Sequence, residues 1–144
     1  SPFKIYKDLS SKKKGAEFEK LTQEYAEKNG LWVNPPLSPE HDRIIESLGK
    51  TEIKGSLLWG VGTNFRWQQI RPSHDYDNIV FLAVYPDRIE FYYASKDVVS
   101  EVVEVQDERG YWPHNQHGGM KVNSGTFLID GFPEDLPWMS KWKI

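Results

Sequence analysis

Residues 42–56 read DRIIESLGKTEIKGS, and the fold turns on this stretch. Two short β-like runs flank a tight turn: residues 42–47, then Leu48 and Gly49, then residues 50–55, with Ser56 following. Side chains alternate across a strand, so Glu52 and Lys54 point to one face and Ile53 to the other. A carboxylate and an ammonium group therefore stand side by side above an apolar anchor. Asp42 opens the partner strand and brings a second carboxylate to the same edge. Two carboxylates and a lysine on one hairpin suit a hard divalent cation and an anionic transition state.

Around the hairpin, residues 15–29 predict a helix, with Phe18, Leu21 and Tyr25 on one stripe and Gly30 placed to close it. Residues 31–33 start a strand that Pro35 and Pro36 end. Residues 79–84, IVFLAV, form an apolar run expected of a buried central strand. A turn at 85–88 leads to a second strand at 89–93. Ser95 is the expected N-cap of a helix reaching about residue 105, buried through Val98, Val99, Val102 and Val103. Residues 126–129 read as another strand, and the aromatic-rich end reads as a segment that docks on the domain. Residues 57–78 fit neither period cleanly. A parallel continuation of the sheet needs a crossover, usually helical, so a short helix is expected near residues 64–71. The expectation is one α/β domain over 1–144, with a mixed central β-sheet flanked by helices.

Composition narrows the classes of function. A chain of 144 residues is long enough for one core of two or three layers. It contains no cysteine, so disulfides and thiolate metal sites are excluded. No apolar run is long enough for a membrane span and no secretory signal is visible, so a cytoplasmic location with no membrane partner is expected. The net charge is −3, so a nucleic-acid site must be a local basic patch. Lys12, Lys13 and Lys14 read as a solvated, frayed segment, with a basic arm touching phosphates as the alternative. Residues 109–121 place His114, Asn115, His117 and Lys121 among glycines, a mixture suited to base edges or phosphates, or to a structured loop. Asn115 and Gln69 have the amide fork suited to adenine, and Arg66 or Arg71 could read guanine. Glu40 is a substitute for Asp42 as a ligand, and His41 reads as a loop residue.

An aspartate, a short turn and then Glu52-Ile53-Lys54 resemble the core of the PD-(D/E)XK nucleases, the restriction-endonuclease-like fold. The likeness covers residues 15–105, leaving 106–144 as a C-terminal elaboration. Glu40 and His41 stand before Asp42 where that family often carries proline. The resemblance implies that Asp42, Glu52 and the Ile53 carbonyl hold Mg²⁺, with Mn²⁺ as an alternative, and that Lys54 orients the attacking water and offsets charge on the phosphate. It also implies a helical glutamate near the metal, which Glu19 matches, and a glutamine near the active site on the following helix, either Gln69 or Gln68. DNA contacts are expected from Arg66, Gln68, Arg71 and the 109–121 loop. The implied function is a Mg²⁺-dependent DNA endonuclease of restriction type, working as a homodimer. The alternatives are a repair, homing or toxin nuclease of the same fold, or a non-catalytic nucleic-acid-binding module in which Glu52 and Lys54 form only an ion pair.

Overall fold

Helix α1 spans Ser11–Lys28, and it starts where Ser10 adopts an extended conformation and its Oγ accepts the Lys13 N–H at 3.3 Å. The computed structural model that shows this describes residues 4, 6–58, 63–108 and 126–143, with the backbone alone at 105–108. Lys12, Lys13 and Lys14 therefore belong to the first turn of α1 and are not a frayed arm. At the other end Asn29 caps the helix and Gly30 follows at φ +87, a conformation that suits a residue without Cβ.

The strands follow as β1 (Val33–Asn34), β2 (Arg43–Ile45), β3 (Gly49–Leu57), β4 (Phe65–Ile70), β5 (Asn78–Val84) and β6 (Ile89–Ser95). Helix α2 (Lys96–Glu108), strand β7 (Phe127–Gly131), a 3₁₀ turn at Pro133–Asp135 and strand β8 (Ser140–Lys141) complete the order. Among the described residues the main sheet runs β1-β2-β3-β5-β6-β8, and β4 with β7 makes a second, two-stranded sheet. The main sheet is mixed: β3 and β5 are parallel, with Glu52 beside Ile79 and Lys54 beside Phe81, and the other pairs are antiparallel. The hairpin turn falls one to two residues earlier than its sequence suggests. Both Ser47 (φ 74) and Gly49 (φ 72) adopt left-handed conformations there, and a side chain at Gly49 would strike Asp77.

Alternation along β5 divides the core. Val80, Leu82 and Val84 pack with Ile45, Ile53, Leu57 and the Phe18 and Ala26 side of α1. Ile79, Phe81 and Ala83 pack on the other side, against Phe65, Trp67, Ile70, Ile129 and the Val99 and Val103 stripe of α2. Ser95 caps α2 as expected, its Oγ accepting the Val98 N–H at 3.3 Å. The C-terminal segment docks: Tyr25 donates its hydroxyl to the Trp142 carbonyl at 2.7 Å, and its ring stacks on Phe91 with centroids 4.3 Å apart.

Residues 65–70 are a strand, not the short helix expected. Phe65 and Trp67 are fully buried in alternation, and Trp67 donates its indole N–H to the Leu82 carbonyl at 3.0 Å. A bulge then breaks the register with β7 between Trp67 and Ile70, with Gln69 at φ 57, so that Ile70 and not Gln69 returns to the core. The described part of the parallel crossover thus contains a strand that joins a second sheet.

One close approach positions α1. A Cβ on Gly55 would overlap the Phe18 ring, including its inner atoms, so the helix can rest on β3 only because residue 55 lacks a side chain. We expect Gly55→Ala to destabilise the fold by about 1–3 kcal/mol, the usual penalty of overpacking, measured by urea denaturation. Wild-type stability in this variant would show that the helix is free to shift.

Candidate active site

β2 pairs with β3 only from Arg43 opposite Thr51 to Ile45 opposite Gly49. Beyond Thr51, among the described residues, no strand pairs β3 on that side. Asp42 stands where the two strands part, its own N–H donating to the Thr51 carbonyl at 2.9 Å. Its carboxylate then takes the place of the missing strand, accepting the Ile53 N–H on Oδ2 at 2.7 Å. This bond fixes the Asp42 carboxylate beside β3 and within hydrogen-bonding reach of the Glu52 carboxyl.

The open edge of β3 is the floor of a cleft of about 640 Å³. Glu52, Lys54 and Gly55 line the floor, with Asp42 at one end. The first turns of α1 form one wall, through Lys12, Lys14 and Glu19, and β4 forms the other, through Asn64, Arg66, Gln68 and Gln69. The Arg66 N–H donates to Ser56 Oγ at 2.8 Å, which ties the β4 wall to the floor. The bulge at Gln69 is what lets two consecutive residues, Gln68 and Gln69, both face the cleft.

Electrostatics mark the carboxylates. Burial, followed by the hydrogen bond and charge of Asp42, pushes the Glu52 carboxyl up to about 8. Lys54 acts in the opposite direction on the same group. Glu19 is pushed up as well, first by burial and then by Asp42. Behind the site Tyr76 is buried, and its phenol is pushed up by burial and then by the charge of Glu52.

Asp42, Glu52, Lys54, Glu19, Gln68, Gln69 and Arg66 therefore converge on one cleft. Glu19, however, is engaged by Arg43, which donates to it at 2.9 Å, to Gln23 at 3.1 Å and to the Asp42 carbonyl at 2.7 Å. The sequence reading missed Arg43. Its role depends on partners on α1, far along the chain, so no local pattern marks it. Arg71 follows the end of β4 and does not line the cleft. Glu40 turns away to accept the Asp75 N–H at 3.2 Å. His41 is structural: its Nε2 accepts the Leu37 N–H at 3.0 Å and its Nδ1 meets the Asp75 carbonyl at 2.9 Å. His114, Asn115, His117 and Lys121 lie outside the described residues.

The oxygen-donor pair suits a hard cation. Among the described residues no group of three His, Cys, Asp or Glu side chains is placed to hold a metal ion. A cation held by one or two carboxylates and several waters is the coordination Mg²⁺ favours. Two carboxylates brought together at a half-buried site repel each other unless a proton or a cation stands between them.

Burial, with the hydrogen bond and charge of Asp42 after it, has a measurable consequence. The Glu52 carboxyl is pushed up to about 8 in the folded chain from its ordinary 4.5, so the native state binds the extra proton between those values. Stability must then fall as the pH rises through this window. In EDTA, Glu52→Gln should match the wild type near the acid end of the window and exceed it at the alkaline end, by urea denaturation. Parallel pH profiles for the two proteins would sink the assignment.

No family model and no curated protein matches the chain. Among solved structures it is similar to a bacterial homing endonuclease, I-Ssp6803I, at 23% identity over 62% of this chain and 72% of that one, with a TM-score of 0.50. At that identity the likeness is one of fold, over the matched part of the chain.

Proposed function

We propose that the chain is a divalent-metal-dependent DNA endonuclease of the PD-(D/E)XK kind, of restriction type. The observation that carries this reading is the meeting of the Asp42 and Glu52 carboxylates at the open edge of β3, with Lys54 on the same face as Glu52 in the same cleft. Asp42, Glu52 and the Ile53 carbonyl would hold Mg²⁺, or Mn²⁺ in its place. When bound, the ion polarises the phosphate and acidifies water.

The chain's own residues do the rest. The Ile53 N–H holds Asp42 in place before any ligand arrives, so little reorganisation is left for the reaction. Glu52 would release its proton to solvent on engaging the cation. The Lys54 ammonium offsets the charge that builds on the phosphate oxygens as the water oxygen adds to phosphorus, losing a proton to solvent, and a P–O ester bond breaks, the departing oxygen taking a proton from solvent. Gln68 and Gln69 offer amide donors and acceptors to the water or to the phosphate. Each copy has one such cleft, so a homodimer would present one site to each strand of a duplex. A homing role for the same chemistry is the second reading, favoured by the likeness in fold to a homing endonuclease.

Supercoiled plasmid incubated with Mg²⁺ should be cut, and the same protein in EDTA should leave it intact. Lys54→Ala and Glu52→Ala should each lower cleavage by about 10²–10³-fold, the range for removing a preorganised electrostatic group, while both still bind duplex in Ca²⁺. Discrete fragments would support restriction or homing specificity. Plasmid left intact in both Mg²⁺ and Mn²⁺, or wild-type cutting by either variant, would overturn the reading.

Gln69→Gly separates geometry from stability. Its left-handed backbone is strained for a side chain other than glycine. The glycine variant should be no less stable in urea and yet cut more slowly; unchanged cutting would exclude the amide from the reaction.

A further inference from the structure

The chain carries a net charge of −3, yet its cleft is cationic above an acidic floor. The carboxylates of Asp42 and Glu52 sit low, at the free edge of β3. Lys12 and Lys14 stand on the α1 wall and Arg66 on the β4 wall facing it. Lys12 and Arg66 are exposed; Arg66 also pairs with Asp130 at 3.6 Å, a solvent-exposed contact for which a phosphate entering from solvent would compete. Two of the three remaining lysines of the same helix, Lys20 and Lys28, are also exposed but do not line the cleft. The polar side chains between the charges, Asn64 and Gln68, can donate to oxygen. Both walls are anchored independently of any ligand: α1 rests on Gly55 through Phe18, and β4 is tied to Ser56.

We propose that Lys12 and Lys14 on one wall and Arg66 on the other form a phosphate track, gripping the phosphates on either side of the one placed over Asp42 and Glu52. The ligand class is the sugar-phosphate backbone of a single strand within a duplex, read without regard to base sequence. The proposal rests on the nuclease reading above and adds to it the path of the strand. Contacts of this kind position the substrate and carry no sequence information. They release counterions on binding, and each one steepens the dependence of affinity on salt by about 0.9.

The test compares two double variants that lose the same charge from the same helix. Lys12→Ala with Lys14→Ala removes the track's α1 wall, and Lys20→Ala with Lys28→Ala is the control. Binding of a labelled duplex is measured in Ca²⁺ over a range of KCl, and Ca²⁺ binding is measured separately by calorimetry. The cleft pair should flatten the salt slope by about 2 and weaken binding roughly 10- to 100-fold near ~0.1 M salt, equally for specific and random duplexes. The control pair should keep the wild-type slope, and Ca²⁺ binding should be unchanged in both. Arginine at both positions 12 and 14 should restore the slope, which separates lost charge from lost folding. If the wild type binds and cuts DNA but the cleft pair keeps its slope, or the control pair loses as much, the track is overturned and the nuclease reading stands. If the wild type binds no duplex at all, both are overturned.

Discussion

The position of α1 depends on an absence of atoms. Gly55 lies in the middle of β3, and the Phe18 ring fills the space where a side chain would stand. Packing at that density transmits position: the next residue, Glu19, and the lysines one to two turns earlier are placed at the cleft by the same contact. A larger residue at 55 would lift the helix from the sheet and widen the cleft. Site geometry and core packing therefore depend on the same few atoms.

The second organising feature is a carboxylate acting as a strand. Where β2 leaves β3, the first N–H of the open edge finds Asp42 in place of a backbone carbonyl. That bond satisfies a donor that would otherwise lack a partner. It also brings two carboxyl groups together, which is unfavourable when both are ionised and is eased by a proton or a cation between them. Arg43 bonds both Glu19 and the Asp42 carbonyl through one nitrogen. The chain thus gathers three carboxyl groups at one cleft and gives Glu19 an arginine partner, although burial and Asp42 still hold that group above its ordinary range.

Much of this was legible in the sequence for a physical reason. Strict alternation from Thr51 to Lys54 and the unbroken apolar run of β5 leave only one way to bury each strand. The first helix is marked by its stripe and its glycine stop. β4 was not legible because its buried residues, Phe65, Trp67 and Ile70, follow neither a period of 2 nor one of 3.6 once the bulge inserts a residue. The usual helical crossover then pointed the wrong way, since here the crossover segment finds its hydrogen bonds in β7, some sixty residues on. The convergence of Glu52 and Asp42 could be anticipated from the hairpin. The capture of Glu19 by Arg43 could not, because it joins a helix to a strand across the fold.

The two ends of the main sheet bear on how the protein behaves in concentrated solution. Both outer strands, β1 and β8, are two residues long. Pro35 and Pro36 follow the first and remove N–H donors just where an incoming chain would look for them. Lys141 on the second reaches toward Glu90 at 3.8 Å and places charge along that border. The longer unpaired stretch, the far half of β3, is recessed between a helix and a second sheet. Among the described residues, the outermost strands of the main sheet therefore offer a foreign strand only a short border to extend, with Trp32 and Leu37 exposed beside β1.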